Sequence, residues 1–405
     1  MEHLIFDEQA RLTARVGSEK RYLFQQIDWG LRCIGILGAR GTGKTTIMLQ
    51  RLKEAYGFSD KALYLSADNP QFQALDLLEF AREFKQQGGE ILFLDEVHKY
   101  PDWSMHVKAI YDSLPDLKIV FSGSSLLQIN QQKADVSRRA VIYYLHGLSF
   151  REYLYFSEGR VYQPVSLAEL IADHRSLSAS IASGSTILKS FRNYLKAGYY
   201  PFFLEESDVY IFKLREVINH IVEVDLPLIH HIDSRRIARI KKLIYLLATS
   251  LPLVPNMAKL AQAIDISRPT LYNYLEHLQA AGLLNLVHRQ GRGYSKLAKP
   301  EKIYLENSNL MYAVSDRVHP GTLREIFFAN QIKNSMNIQP AFLEDALELG
   351  RKGDFLVHGE LVFEVGGKNK TTRQIAGMEN AYIAADDIEN GFGKKIPLWL
   401  FGFLY

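Results

Sequence analysis

The sequence has few of the features that would place the chain in a membrane or in an oxidising compartment. Its 405 residues include one cysteine, which excludes a disulfide framework and fits a reducing compartment. It has no run of about 20 apolar residues, the length that a transmembrane helix needs. The first residues, MEHLIFDEQARLT, have no apolar core of the kind found in signal peptides. We therefore expect a cytoplasmic protein with no membrane partner and, from its length, two to four domains.

The chain also lacks a uniform charge. Its formal net charge is +3, but residues 235–302 contain 12 Lys+Arg against 3 Asp+Glu, a local balance of +9 that leaves −6 for the remainder. The basic character therefore belongs to one segment. Such a segment predicts a local surface that faces a polyanion.

A glycine-rich turn between an apolar run and a helical pattern is the first chemical motif. In CIGILGARGTGKTTIMLQ, the spacing of Gly38, Gly43, Lys44 and Thr45 fits G-x-x-x-x-G-K-[ST]. Glycines let successive N–H groups point at phosphate oxygens beside the positive end of a helix. Lysine adds charge at the β- and γ-phosphates, and the threonine hydroxyl is a ligand for Mg²⁺. The nucleotide-binding residues predicted here are Gly38, Ala39, Arg40, Gly41, Thr42, Gly43, Lys44, Thr45 and Thr46.

Two adjacent carboxylates follow a second apolar strand, in GEILFLDEVHKY. We expect Asp95 to complete the Mg²⁺ shell with Thr45 and Glu96 to polarise the attacking water. A third strand, LKIVFSGSS, ends in hydroxyls, and Ser124 is a candidate sensor of the γ-phosphate. With ALYLSAD and AVIYYLHGL, the alternation of strands and helical segments predicts a five-stranded parallel α/β sheet of a P-loop NTPase.

The segments LDEVHKYPDW, GSS and LHGLSFREYL resemble the AAA-type ATPases of the AAA_14/DUF4143 architecture. The resemblance implies ATP as the nucleotide and the strand order 5-1-4-3-2. It also implies an AAA-type ATPase domain over residues 1–150, a helical lid over 151–231, a winged helix over 232–310 and a PD-(D/E)XK nuclease-like domain, expected to be inactive, over 311–405. In VSRRAVIYYLHGLSF, Arg139 matches an arginine of that family, although Arg138 replaces its glycine. Arg139 is therefore a candidate arginine finger, acting in cis or on a neighbouring subunit of an oligomer.

The basic segment contains the pattern of a helix-turn-helix. Leu260, Ala263 and Ile264 suit a short helix, and Ser267 is a suitable N-cap for a second helix that stops at Gly282. In a DNA reader the start of the second helix enters the major groove, and a β-wing follows it. The predicted groove contacts are Arg268, Thr270, Tyr272 and Asn273, and the predicted phosphate contacts are Arg289, Arg292, Lys296 and Lys299. A winged helix also serves as a protein-docking module, so the nature of this partner stays open.

Acidic residues and a lysine near the C-terminus follow the order of a PD-(D/E)XK nuclease. Glu325 lies in the helical pattern TLREIFFANQI, and Asp354, Glu364 and Lys368 lie in RKGDFLVHGELVFEVGGKNK. In that fold two acids hold Mg²⁺ and a lysine two residues beyond the glutamate positions the water. Position 366 is a glycine here, and a lysine at 368 is displaced by roughly 6–7 Å along a strand. The pattern therefore favours a nuclease-like fold without cleavage over an active nuclease or an unrelated α+β fold.

Three functions are consistent with these motifs. The leading hypothesis is an ATPase whose nucleotide state moves a winged-helix and nuclease-like module that contacts DNA. The second is a nucleotide switch that binds a protein partner in signalling or defence, and the third is an ATP-gated endonuclease. DNA accelerates hydrolysis under the first, whereas a protein partner controls it under the second.

Overall fold

A computed structural model describes residues 2–123, 136, 138–184, 186–205, 207–227, 233–249, 256–289, 300–336 and 347–405. The described residues up to His146 form one compact unit, and those from Gly147 onward form a second. Among the described residues, no helix has both the length and the apolar character that crossing a membrane requires.

The first unit is an α/β sandwich of three layers. Its helices are α1 Glu2–Arg15, α2 Tyr22–Gln26, α3 Lys44–Tyr56, α4 Pro70–Gln73, α5 Leu77–Gln86 and α6 Trp103–Ser113. Its strands are β1 Cys33–Leu37, β2 Ala62–Ser66, β3 Ile91–Asp95, β4 Lys118–Gly123 and β5 Val141–Tyr144. All neighbouring strands are parallel, in the order β2-β3-β4-β1-β5. This sheet confirms the predicted five-stranded P-loop core and has the strand order that the resemblance implied.

Continuous apolar runs form these strands because both faces of the sheet are buried. Successive residues of each strand point to opposite faces, so the strands divide their side chains between two cores. One core contains Leu92 and Leu94 of β3 with helices α5 and α6, and the other contains Ile91 and Phe93 with helix α3. The carboxyl ends of β1, β3 and β4 meet at one edge of the sheet, which is where ligands bind in open α/β sheets.

The second unit begins with helices and continues into two small sheets. The helices are α7 Phe150–Glu158, α8 Leu167–Ala182, α9 Ile187–Ala197, α10 Tyr210–His220, α11 Ser234–Thr249, α12 Met257–Ala263, α13 Arg268–Ala280, α14 Ser308–Val314 and α15 Pro320–Met336. The strands β6 Leu284–Val287 and β7 Lys302–Leu305 pair antiparallel. The remaining strands are β8 Leu347–Glu348, β9 Phe355–Val357, β10 Leu361–Gly366, β11 Ala381–Ala385 and β12 Lys395–Pro397, in the order β12-β11-β10-β9-β8.

Helices α12 and α13 followed by the β6–β7 pair lie where the sequence predicts a helix-turn-helix and wing. Ser267 caps α13, since its side chain accepts a hydrogen bond from the Thr270 amide. The buried face of α13 consists of the four residues whose helical spacing the sequence shows, Leu271, Tyr274, Leu275 and Leu278. The local structure agrees with the predicted elements, whereas the assignment of a lid, a winged helix and a nuclease-like domain stays a prediction.

Candidate functional site

The loop between β1 and α3 curls because glycine occupies two positions with positive φ and a third where a side chain would clash. Gly41 and Gly43 have positive φ angles of 83° and 97°, which L-residues rarely adopt. At Gly38 a Cβ atom would lie 2.1 Å from the Leu145 carbonyl oxygen. Gly43 immediately precedes α3, so the loop places its backbone beside the positive end of that helix. This is the backbone arrangement that binds phosphate groups.

A buried lysine projects into this loop. Lys44 is 4% exposed, and its Nζ donates to the carbonyl oxygens of Gly38 at 3.2 Å and Ala39 at 3.1 Å. Its ammonium group also lies 3.8 Å from the Glu96 carboxylate. The positive charge is therefore held inside the curl of the loop.

The loop is anchored from behind by an arginine that the sequence motifs do not identify. The buried Arg21 side chain donates to the Thr42 carbonyl at 2.6 Å and to the His146 carbonyl at 2.9 Å. Thr42 also donates through its hydroxyl to the Ala39 carbonyl at 2.9 Å, which closes the turn from within. These bonds fix the loop to the segment that follows β5.

Asp95 ends β3 directly beside the first turn of α3. Its Oδ2 accepts hydrogen bonds from the Thr45 hydroxyl and the Tyr64 hydroxyl, both at 2.7 Å. Its Oδ1 accepts a bond from the Ser122 hydroxyl on β4. Burial raises the pKa of Tyr64, and the Asp95 charge adds to that effect, so the phenol stays a donor.

The oxygen atoms at this point suit Mg²⁺. The ion binds proteins through one or two carboxylates and hydroxyls and takes its remaining ligands from phosphates and water. Thr45 and Asp95 place one hydroxyl and one carboxylate oxygen 2.7 Å apart. Among the described residues no group of three or more His, Cys, Asp or Glu side chains could hold a metal. The residues present thus fit a cation whose shell is completed by a nucleotide.

Glu96 lies next to this site in a left-handed backbone conformation, with φ of 53°. Its amide donates to the Ser122 hydroxyl at 3.1 Å, and its carboxylate lies 3.5 Å from His98 Nε2. A non-glycine residue with positive φ is uncommon and is found at functional sites. Ser122 therefore contacts both acids of the pair. The predicted γ-phosphate sensor, Ser124, lies outside the described residues.

His98 is a buried histidine that is neutral at pH 7. Burial lowers its pKa from 6.5 to about 4, against the opposing effect of the Glu96 carboxylate. No sequence pattern selects this histidine, because a single histidine after an acidic pair is an ordinary loop composition. The structure places its ring against the carboxylate that the sequence predicts to be the base.

His98 should make the stability of the first unit fall in mild acid. Its folded pKa is about 4 and its ordinary value 6.5, so the unfolded state binds the proton first as pH falls. The contribution of neutral His98 to stability is thus fully present above pH 6.5 and is lost as the pH falls from 6.5 to 4. Between pH 7.5 and 5.0 we expect the free energy of unfolding to drop by about 2 kcal/mol from this residue.

Urea unfolding of wild-type protein and His98→Gln at the two pH values measures that contribution. The drop between pH 7.5 and 5.0 should be smaller in the variant by about 2 kcal/mol. Equal drops in both proteins would show that His98 does not carry this dependence.

Arg139, the candidate arginine finger, lies far from the phosphate loop of its own chain. It precedes β5, whose Val141 is level with Ile34 near the start of β1. The loop follows the opposite end of β1, roughly 15 Å away at about 3.3 Å per residue. Arg139 instead makes two 2.8 Å bonds to the Asp112 carboxylate, and this contact lowers the pKa of Asp112. The structure therefore does not bring Arg139 to the site in cis, and a role on a neighbouring subunit stays a prediction.

The structure describes some of the residues that are predicted to contact DNA. Arg268 and Asn273 are exposed on α13, whereas Thr270 and Tyr272 are half-buried. Arg289 is exposed and lies 3.9 Å from the Glu301 carboxylate. The remaining predicted phosphate contacts, Arg292, Lys296 and Lys299, lie outside the described residues.

The acids of the second unit contact lysines other than the predicted one. Lys302 on β7 contacts both Glu325 at 2.9 Å and Asp354 at 3.3 Å. Glu364 on β10 is paired with Lys370 at 2.5 Å. Lys368 is exposed, and its carbonyl accepts a bond from Lys395 at 2.9 Å. The structure does not place Lys368 at the acids, because β10 ends at Gly366 and the chain turns there.

Two parts of the chain match known families. Residues 31–154 match AAA_14, an AAA domain, and residues 188–319 match DUF8612, a domain of unknown function. The DUF4143 region implied by the resemblance is thus not shown.

Among curated proteins the chain is similar to two from Methanocaldococcus jannaschii. The uncharacterized protein MJ1637 is 27% identical over 285 residues, which cover 66% of this chain and 59% of the relative. The uncharacterized protein MJ1544 is 26% identical over 369 residues, covering 85% of this chain and 78% of the relative. The chain thus spans less than two thirds of the length of MJ1637.

Similar solved structures include the Walker-type ATPase PABY2304 of Pyrococcus abyssi and AMPPCP-bound DnaA from Aquifex aeolicus. The first is 12% identical with a TM-score of 0.40, covering 76% of this chain and 94% of that chain. The second is 15% identical with a TM-score of 0.25, covering 63% of this chain and 84% of that chain. The match of residues 31–154 to an AAA domain, together with the parallel sheet and the loop, supports a P-loop ATPase domain in this chain.

Proposed function

We propose that this protein is a cytoplasmic Mg²⁺-dependent ATPase that couples its nucleotide state to DNA contact by the basic helix pair. The observation that carries the ATPase proposal is the convergence of Lys44, Asp95 and Glu96. The ammonium lies in the loop, 3.8 Å from Glu96, and Asp95 accepts a bond from the Thr45 hydroxyl. A phosphate chain that enters the loop thus meets a positive charge, two magnesium ligands and a carboxylate.

Each residue has a separate task in this proposal. Lys44 and the amides of residues 38–46 bind the β- and γ-phosphates, and Thr45 with Asp95 would hold Mg²⁺. Bound Mg²⁺ neutralises charge on the phosphate oxygens during transfer. Glu96 orients the attacking water and accepts its proton. Ser122 fixes the relative positions of the two acids, because its hydroxyl donates to Asp95 and accepts a bond from the Glu96 amide.

The DNA part of the proposal is supported by charge and exposure. The segment 235–302 has the local balance of +9, and Arg268 and Asn273 are exposed on one end of a capped helix. Exposed side chains near the N-terminus of the second helix are the ones that read bases in helix-turn-helix proteins. A protein partner at the same surface is the alternative, and the experiment below distinguishes the two.

Duplex DNA should accelerate the release of phosphate from MgATP, and a labelled duplex should bind with an affinity that falls steeply with salt. Arg268→Glu should weaken DNA binding roughly tenfold or more, because a groove contact is replaced by a repelling charge. The matched control is Arg175→Glu, because Arg175 is also an exposed arginine and lies on α8 outside the basic segment.

In the wild type, Arg268→Glu and Arg175→Glu, phosphate release measures ATP hydrolysis and fluorescence anisotropy measures DNA binding. If DNA did not change ATP turnover and did not bind at low salt, the ATPase proposal would stand and DNA would be ruled out as the partner. Equal losses in Arg268→Glu and Arg175→Glu would mean that the basic segment has no specific role.

A further inference from the structure

The C-terminal acids have the chain order of a nuclease magnesium site but not its surroundings. In the nuclease-like fold that they resemble, Glu325, Asp354 and Glu364 would share a divalent cation. In the part of the chain that the structure describes, no group of three or more His, Cys, Asp or Glu side chains could hold a metal ion. The residues around the acids explain this disagreement.

An ammonium group from the β6–β7 pair lies between the first two acids. Lys302 Nζ is 2.9 Å from Glu325 Oε2 and 3.3 Å from Asp354 Oδ1. The Tyr304 hydroxyl donates to the same Glu325 oxygen, because residues i and i+2 of a strand face the same side. The lysine side chain is only 17% exposed. The position between the two acids is therefore already filled by a cation of the chain itself.

The second oxygen of Asp354 is also engaged. It accepts a hydrogen bond from the Val365 amide at 2.9 Å, which fixes the carboxylate against β10. Both oxygens thus have donors from the protein. A metal ion would have to displace at least one of them.

The third acid has a cation of its own. The Glu364 side chain is 3% exposed and pairs with Lys370 at 2.5 Å. Glycine at position 366 makes this possible, since a Cβ there would lie 2.8 Å from Lys370 Cγ. The position that holds the lysine in the nuclease pattern is therefore a glycine that lets a later lysine fold back over the strand.

We propose that Lys302 and Lys370 permanently replace the divalent cation of this site, so that the acid cluster binds no metal and instead fastens β7 to α15 and to the sheet of β9 and β10. A divalent ion beside two ammonium groups would be repelled by both. Displacing Lys302 would leave a largely buried charge without a partner, which is strongly destabilising. The cluster is a structural tie, and DNA cleavage at these acids is excluded on the same grounds.

Mn²⁺ binding to the nucleotide-free protein, followed by electron paramagnetic resonance, tests this assignment. The wild-type protein and Asp354→Asn should bind equal amounts of Mn²⁺. The double variant Lys302→Met, Lys370→Met leaves three carboxylates uncompensated and should gain one Mn²⁺ per chain. Adding Asp354→Asn to the double variant should remove that gain. Lys368→Met is the matched control and should resemble the wild type, since that lysine is exposed beyond the end of β10.

Two results would overturn the proposal. One is a Mn²⁺ site in the wild-type protein that disappears in Asp354→Asn, which would show that the acids hold metal with both lysines present. The other is a folded double variant with no additional Mn²⁺, because the lysines would then not be what keeps the cation out. Where the double variant fails to fold, the comparison of wild type with Asp354→Asn still decides the first point.

Discussion

Lys44→Ala should weaken ATP binding strongly, with a dissociation constant raised roughly 100-fold or more. The substitution removes a buried ammonium that the protein holds inside the phosphate loop, where it donates to the Gly38 and Ala39 carbonyls. Losing one partner of a desolvated charge pair costs about 2–5 kcal/mol, and each 1.4 kcal/mol is tenfold in affinity. The backbone amides of the loop remain, so some affinity for triphosphate persists at high concentration. Isothermal titration with ATP and Mg²⁺ measures the change.

A lysine elsewhere on the same helix separates the role of position 44 from a general effect of charge. Lys53 lies on α3 and donates to the Val16 carbonyl at 3.1 Å on the surface. Lys53→Ala removes the same charge from the same helix and should change ATP affinity less than about threefold, because exposed charges are screened. An unaltered affinity in Lys44→Ala, or equal losses in the two variants, would mean that the loop does not bind phosphate as assigned.

Local motifs were enough to predict the candidate nucleotide site from sequence alone. The loop and the acidic pair are contiguous in the chain, and their chemistry requires particular residue types at fixed spacing. The parallel sheet also followed from sequence, because its five strands are apolar runs separated by helical segments. Local residue patterns were therefore enough to predict both the loop with its acidic pair and the five strands.

The side-chain contacts between distant segments could not be predicted from the sequence. Tyr64 and Ser122 reach Asp95 from two different strands. Tyr64 lies within one apolar run and Ser122 at the end of another, and neither run indicates which residue its hydroxyl contacts. The register of the parallel strands decides which side chains meet at the edge of the sheet. That register follows from the packing of the whole unit.

The lysines of the second unit show the same limit more clearly. Sequence order predicted Lys368, because the nuclease pattern places a lysine shortly after the glutamate. The chain turns after Gly366, with the Lys370 amide bonded to the Gly367 carbonyl at 2.9 Å, and this turn sends Lys370 back to Glu364. Lys302 is separated from Asp354 by 52 residues. No local pattern indicates a pair at that distance.

Glu96→Gln should leave ATP binding intact and reduce turnover by about 10²–10⁴-fold, the range expected when a general base is removed. Glutamine has the same shape and can keep contact with His98, but its amide oxygen is a far weaker proton acceptor. The residue lies at the edge of the site, 3.8 Å from Lys44, while Asp95 holds the bond to the Thr45 hydroxyl. Glu96→Gln should therefore keep ATP binding and lose hydrolysis, whereas Lys44→Ala should lower both. Titration with ATP and phosphate release under single-turnover conditions measure the two steps.

The opposite end of the same strand provides the control. Glu90 precedes β3 and forms an exposed pair with Lys61 at 2.7 Å, at the edge of the sheet away from the loop. Glu90→Gln changes the same carboxylate to the same amide, yet it should retain wild-type turnover. Phosphate release at the wild-type rate in Glu96→Gln would assign the water to another acceptor. If ATP affinity fell together with turnover, Glu96 would serve to shape the loop through its contact with Lys44, because a base that acts only on water contributes nothing to the binding of the nucleotide.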